Sequence, residues 1–169
     1  NGLDRAKDKN LKIYVMCEIP SNILLADEFL KVFDGMSIGS NDLTQLVLGL
    51  DRDSGIVTHI ANENNPAVKK MIAEIIAKCL KQKKYIGICG PAPSDYPEFA
   101  DFLIEKLVEL NVACLQPVVY ARSARGEIFG AAKLDRYRRL IAKACEQSRR
   151  NRLLELAAPL PLAELLSSA

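Results

Sequence analysis

The chain has 169 residues and a formal net charge of +2 at pH 7, with 49% hydrophobic and 26% charged residues. This is the length of one domain or of a piece of a larger protein. No apolar run approaches the roughly 20 residues that span a bilayer, and the charged first ten residues lack the apolar core of a secretory signal. The sequence opens on Asn1 rather than Met, so a fragment is expected. Five cysteines (Cys17, Cys79, Cys89, Cys114 and Cys145) are odd in number, spread out and without a CxxC pair. That pattern argues against a disulfide framework or a zinc site and fits a reducing, cytoplasmic setting.

Leu11–Cys17 is β-branched and largely apolar, which predicts a strand buried on both faces of a parallel sheet, with Glu18 directly at its C-terminal end. Ser21 or Asn22 would cap the next helix, whose apolar face is Ile23, Leu24, Ala26, Phe29, Leu30 and Phe33. A short strand, Met36–Ile38, then stops at Gly39, where the backbone turns and a ligand can approach closely. Ser40, Asn41 and Asp42 stand at N-cap positions of a helix around Asp42–Leu48, whose first N–H groups favour an anion. The turn therefore reads either as a site for a phosphorylated or carboxylated ligand with a divalent metal, or as a well-capped βα turn with no ligand.

Residues 50–65 form a polar connection holding Asp51, Arg52, Asp53 and the single histidine, His59, which reads as a loop residue. Pro66 opens a helix over Ala67–Lys81 with Val68, Met71, Ile72, Ile75, Ile76 and Leu80 at helical spacing. A third strand, Tyr85–Ile88, ends at Cys89-Gly90, and Pro91, Pro93 and a Ser-Asp-Tyr-Pro turn lead into a helix over Glu98–Leu110. A fourth apolar run, Val112–Leu115, extends toward Val118–Tyr120 across the interruption of Pro117. The alternation predicts an α/β fold with a parallel sheet, which places its chemistry at the C-terminal ends of the strands. Glu18, Asn41-Asp42 and Cys89 all fall at such ends. Two carboxylates with open coordination positions suit magnesium, and a cysteine at a third strand end suits a nucleophile or proton donor.

The segments Met-Cys-Glu-Ile-Pro-Ser-Asn (16–22), Ile-Gly-Ser-Asn-Asp-Leu-Thr-Gln (38–45), Gly-Leu-Asp-Arg-Asp-Ser-Gly (49–55), Asn-Pro-Ala-Val (65–68) and Gly-Ile-Cys-Gly-Pro-Ala-Pro-Ser-Asp (87–95) resemble the phosphoenolpyruvate-utilising enzyme family. The resemblance covers roughly residues 8–106. The Gly-Ser-Asn-Asp form and the Ser-Asp after the cysteine favour its pyruvate, water dikinase branch over pyruvate phosphate dikinase and the phosphotransferase-system enzyme I. It implies the C-terminal half of a TIM-type (β/α)8 barrel, about four βα units, in a domain over residues 1–120. It also implies Mg2+ held by Glu18 and Asp42, which also touch pyruvate or phosphoenolpyruvate. Gly39, Ser40 and Asn41 would then bind substrate, and Cys89 would be the acid/base that exchanges a proton with the methyl or methylene carbon. The family's substrate-binding arginines, phosphate-carrying histidine and nucleotide domain have no counterpart in this sequence, so the chain alone is expected to be inactive. Four strands leave a barrel open, which makes a homo-oligomer or pairing with the missing half an alternative role.

Residues 121–169 read as a basic helical extension of unknown role. Between residues 121 and 152 ten Lys and Arg face only Glu127, Asp135 and Glu146. A helix over Lys133–Leu156 is predicted, with Leu134, Tyr137, Ile141, Ala144 and Cys145 on its apolar side. Arg136, Arg138, Arg139, Arg149, Arg150 and Arg152 lack an aromatic stacking platform, so nucleic acid is not the expected partner.

Overall fold

A strand forms where alternate side chains can be buried on one face, and Val15, Cys17, Met36, Ile38, Ile86 and Ile88 supply that pattern three times. In the computed structural model, which describes residues 4, 7, 8, 10–51, 53–90, 92–120 and 129–167, the chain divides into two compact units, Asn1–Tyr96 and Pro97–Ala169. Arg52, Pro91 and the first residues of the basic extension, 121–128, lie outside the described residues.

The first unit runs β1 (Tyr14–Cys17), α1 (Pro20–Leu24), α2 (Ala26–Val32), β2 (Gly35–Gly39), α3 (Ser40–Leu48), a 3-10 turn at Thr58–Ile60, α4 (Pro66–Lys81), β3 (Tyr85–Cys89) and α5 (Ala92–Asp95). Its sheet is parallel in the order β1-β2-β3, with Tyr14 opposite Gly35 and Gly35 opposite Tyr85. The Cys17, Met36 and Ile38 face is buried, together with Ile23, Ala26, Leu30, Val68, Ile72, Ile75 and Cys79 from the helices. Helix α4 starts cleanly because the Asn65 carboxamide accepts from the Ala67 N–H at 2.9 Å and Pro66 needs no donor partner. Near its other end, the Lys78 ammonium donates to the Ile23 carbonyl at 2.7 Å and ties α4 to α1.

The opposite face of the sheet is open, which corrects the expectation that the first strand is buried on both sides. Tyr14 is 45% exposed, Met16 40% and Tyr85 48%. Full burial of a parallel strand needs a layer on each face, and the helices of this unit bury the face that carries Cys17, Met36 and Ile38. The two tyrosine rings stack at 4.4 Å across Gly35, where a Cβ would run into the Tyr85 backbone.

The second unit runs α6 (Pro97–Glu109), β4 (Cys114–Leu115), β5 (Val118–Val119), α7 (Ala131–Gln147), β6 (Glu155–Leu156), β7 (Leu160–Pro161) and α8 (Leu162–Ser167). Ala100, Ile104 and Val108 of α6 pack with Tyr137, Ile141, Ala144 and Cys145 of α7 and with Leu154. The Arg136 guanidinium donates to both Asp101 oxygens at 2.5 Å, joining the two helices at one end. The predicted fourth strand does not join the three-stranded sheet. It pairs in parallel with residues further along its own unit, Cys114 opposite Glu155 and Val118 opposite Leu160. Gln116 spans the interruption beside Pro117 by donating to the Ala158 carbonyl at 2.7 Å.

The fold is therefore α/β with small parallel sheets. It is consistent with part of the expected (β/α)8 barrel, but no barrel closes among the described residues and the expected fourth strand lies in the second compact unit. The predicted helix over Lys133–Leu156 is corrected as well. Helix α7 ends at Gln147, Arg149 turns with φ 52°, and the apolar run after it becomes a strand rather than a continuation. Periodicity alone does not separate a short apolar strand from a helix tail.

Replacing Gly35 by Ala should destabilise the first unit by about 1–3 kcal/mol, the usual range for overpacking, because the new methyl meets the Tyr85 main chain. A lowered urea midpoint at unchanged slope is the expected readout. The thiols give a second check on the same core. Burial pushes Cys17 up to about 12 and Cys79 up to about 11, and Cys145 is also buried, whereas Cys114 is exposed and Cys89 half-buried. In native protein a chromogenic disulfide reagent should label Cys114 first and Cys89 next. The other three should react only after unfolding, as read by peptide mapping.

Candidate functional site

Three parallel strands in register bring their C-terminal ends to one rim. Cys17 lies opposite Ile38 and Gly39 opposite Cys89, so Glu18 follows β1 on one side of Gly39 while Cys89 closes β3 on the other. Neighbouring strands lie about 4.8 Å apart, which puts the backbones carrying Glu18 and Cys89 about 10 Å apart, the span of a small ligand.

Each of these residues is fixed locally. The Glu18 and Ile19 N–H groups both donate to the Asn22 carboxamide oxygen at 3.2 Å, so a buried asparagine one turn into α1 pins the end of β1. The Glu18 side chain lies across Gly39. A Cβ on Gly39 would come within 2.6 Å of the glutamate Cγ and 2.7 Å of its Oε1. The glycine is thus needed for close approach of the carboxylate. Helix α3 begins one or two residues earlier than the sequence suggested. Gly39 holds the N-cap position, which has no side-chain cap hydrogen bond, and Ser40, Asn41 and Asp42 form the first helical turn instead of capping it.

Ser40 is fully buried, and its hydroxyl donates to Glu63 Oε1 at 2.9 Å. Its carbonyl accepts from the Thr44 hydroxyl at 2.8 Å. Gly90, with φ +128°, packs against the Ser40 Oγ so closely that no side chain fits there. Asn41 and Asp42 are half-buried, and Asn41 lines a cavity of about 50 Å³ with Thr44, Ala61 and Glu63, large enough for ordered water. At the other strand end Cys89 is half-buried. The Ser37 hydroxyl lies 3.6 Å from its sulfur, and the thiol lies 3.5 Å from the Ile38 carbonyl.

The structure thus brings Glu18, Gly39, Ser40, Asn41, Asp42 and Cys89 to one end of the sheet. His59, in the 3-10 turn, is exposed. Sequence reasoning missed two side chains that hold this end together. Asn22 was read only as a helix cap, although its oxygen serves the Glu18 N–H. Glu63 falls in the polar connection over residues 50–65, yet only 6% of it is exposed. Burial pushes the Glu63 carboxyl above the ordinary glutamate range, the Ser40 hydrogen bond opposes this, and the nearby Asp95 charge adds to it. No local pattern announces the Glu63 contact, since the Ser40–Glu63 bond joins residues 23 positions apart.

No group of three or more His, Cys, Asp or Glu residues is gathered as a metal cluster among the described residues. Magnesium does not need one, since one or two carboxylates with water and ligand oxygens complete its octahedron. Glu18 carries no ion pair among the described residues, and Asp42 stands in the first turn of α3.

Comparison with known proteins divides along the chain. Residues 2–123 match the family described as PEP-utilising enzyme, PEP-binding domain. Residues 95–169 match a family described as RNA methyltransferase domain, less than half of the chain. A phosphoenolpyruvate synthase of Pseudomonas aeruginosa is 64% identical over 109 residues, which is 64% of this chain and 14% of that protein. The Escherichia coli phosphoenolpyruvate synthase is 56% identical over 108 residues, 64% of this chain and 14% of its own length. That of Aeropyrum pernix is 48% identical over 110 residues, 64% of this chain and 13% of its own length. The chain spans about 14% of the length of the curated relatives it matches. With well over half of its residues matched, the chain belongs to the family of PEP-utilising enzymes, through their PEP-binding domain.

Proposed function

We propose that the first unit carries part of a magnesium-dependent site for pyruvate or phosphoenolpyruvate, inherited from a phosphoenolpyruvate synthase. The parent reaction converts ATP, pyruvate and water to AMP, phosphoenolpyruvate and phosphate through a phosphohistidine. The observation that carries this reading is the Glu18 carboxylate laid across Gly39, with Cys89 on the next strand end. Glu18 and Asp42 would hold Mg2+, which when bound neutralises charge on the carboxylate and enolate oxygens of the ligand. The Gly39–Asn41 turn opens a helix whose first N–H groups favour the ligand carboxylate. Cys89, beside Ser37, would hold the proton exchanged with the ligand's terminal carbon.

Arginines of the family's substrate site and its phosphohistidine have no counterpart in this sequence, so binding without turnover is the expected behaviour. Titration calorimetry with oxalate, an enolate mimic, should give heat only when Mg2+ is present. Gly39→Ala displaces the Glu18 carboxylate and should weaken that binding about tenfold or more, the effect of losing a charged ligand contact. Oxalate binding that ignores Mg2+, or AMP formation from ATP and pyruvate by the purified chain, would overturn the reading.

A second reading applies to residues 97–169 and rests on their match to an RNA methyltransferase domain. It runs against the expectation, drawn from the sequence, that nucleic acid is not a partner. In this unit Arg136 is engaged by Asp101 and Arg150 by the Val112 carbonyl, while Arg139, Lys143, Arg149 and Arg152 are exposed. Arg139 and Lys143 lie four residues apart on α7, on one helix face. Four phosphate contacts to single-stranded RNA give a log–log salt slope of about −3. Gel-shift titration of an unstructured RNA should show that slope. Arg139→Glu with Lys143→Glu should roughly halve it, and a salt-independent affinity would remove the reading.

A further inference from the structure

Glu63 is a buried carboxyl group that the proposed chemistry does not use. It stands at the end of the polar connection, just before α4, and among the described residues its carboxyl accepts one hydrogen bond, from the Ser40 hydroxyl at 2.9 Å. Ser40 is fully buried, Gly90 presses on its Oγ from the end of β3, and Thr44 holds its carbonyl from below. Ser40 is also the first residue of α3, after an N-cap that offers no side chain to the helix. The turn therefore lacks the usual side-chain cap, and the Ser40–Glu63 bond ties it instead to a segment more than 20 residues further on.

We propose that Glu63 is the positioning residue of the site: by holding the Ser40 hydroxyl it fixes the backbone from Gly39 to Asp42, the segment that carries Asn41 and Asp42. The proposal rests on the pyruvate-site reading for what that segment does, but not for whether Glu63 holds it. A carboxylate here also suits the location, because negative charge beside the first turn of a helix is favourable. Glu63 is only 6% exposed, and the bond to Ser40 is its route to the turn.

The test compares Glu63→Ala, Glu63→Gln and Ser40→Ala in the full chain by amide hydrogen exchange and by Mg2+-dependent oxalate calorimetry. Loss of one buried hydrogen bond to a carboxyl group should speed exchange over residues 39–44 about tenfold in Glu63→Ala and Ser40→Ala. Residues 68–79 of α4 should exchange as in the wild type. Glu63→Gln keeps an acceptor for the hydroxyl and should restore both the slow exchange and the oxalate affinity to within about twofold. A role in general packing alone would loosen α4 and the turn together, and that pattern overturns the proposal. So does wild-type exchange over residues 39–44 in Glu63→Ala, or equal loosening in Glu63→Gln. Should Glu63→Ala fail to fold, Ser40→Ala decides, since it removes the same bond with little change of volume. A wild type with the expected exchange pattern that binds no oxalate overturns the ligand-site reading and leaves the positioning of the turn supported.

Discussion

The parallel register of three short strands is the constraint on which the rest of the first unit depends. A parallel ladder fixes which residue ends beside which, and here it sets Glu18, Gly39 and Cys89 side by side. A slip of one residue would turn every side chain to the opposite face. If β1 slipped, Cys17 would leave the core and Tyr14 would be driven against the helices. The apolar pattern that buries the sheet is therefore also what keeps the acid, the glycine and the thiol on one rim. Core and site are specified by the same alternation.

The second unit is built on a different plan from the same kinds of parts. Its strands pair with each other around α7, and its own apolar cluster, from Ala100 to Leu154, holds α6 against α7. The division after Tyr96 falls close to residue 95, where the RNA methyltransferase match begins. The PEP-binding match runs on to residue 123, so α6, β4 and β5 fall within both matches. An amphipathic helix followed by a short apolar strand is common to many α/β folds, and its pattern alone carries little that separates one from another.

Much of the first unit was legible because its signals are local. Apolar runs bounded by Glu18, Gly39 and Cys89-Gly90 announce strands and their ends, and Asn65-Pro66 before Val68, Ile72, Ile75 and Ile76 announces α4. What escaped was set by contacts distant in sequence. Val112–Leu115, with its extension toward Val118–Tyr120, reads as a fourth strand of the first sheet until its partner at residues 155–161 is seen, some 40 residues on. The end of α7 depends on Arg149 adopting φ 52°, a conformation that an arginine does not advertise. Glu63 looked like one more polar residue in a connection because its acceptor role depends on Ser40, on the far side of that connection. Exposure of Tyr14 and Met16 was hidden for a related reason, since a continuous apolar strand reads the same whether one face or two are covered.

That open face bears on how the rim keeps its shape. In a closed barrel, packing on both sides of every strand holds the loop ends in place. Here a layer of helices buries one face of β1, β2 and β3, while Tyr14, Met16 and Tyr85 stand partly exposed on the other. Side-chain packing from that second face cannot be what aims the strand ends. The work falls to short polar ties on the rim itself: Asn22 to the backbone of Glu18 and Ile19, Glu63 to Ser40, Thr44 to the Ser40 carbonyl, and the glycine contacts at Gly39 and Gly90. Each such bond contributes only about 0.5–1.5 kcal/mol to stability. Breaking one can therefore leave the sheet folded while the turn it holds loses its single geometry, and the residues at the rim are more sensitive to their ties than the fold is.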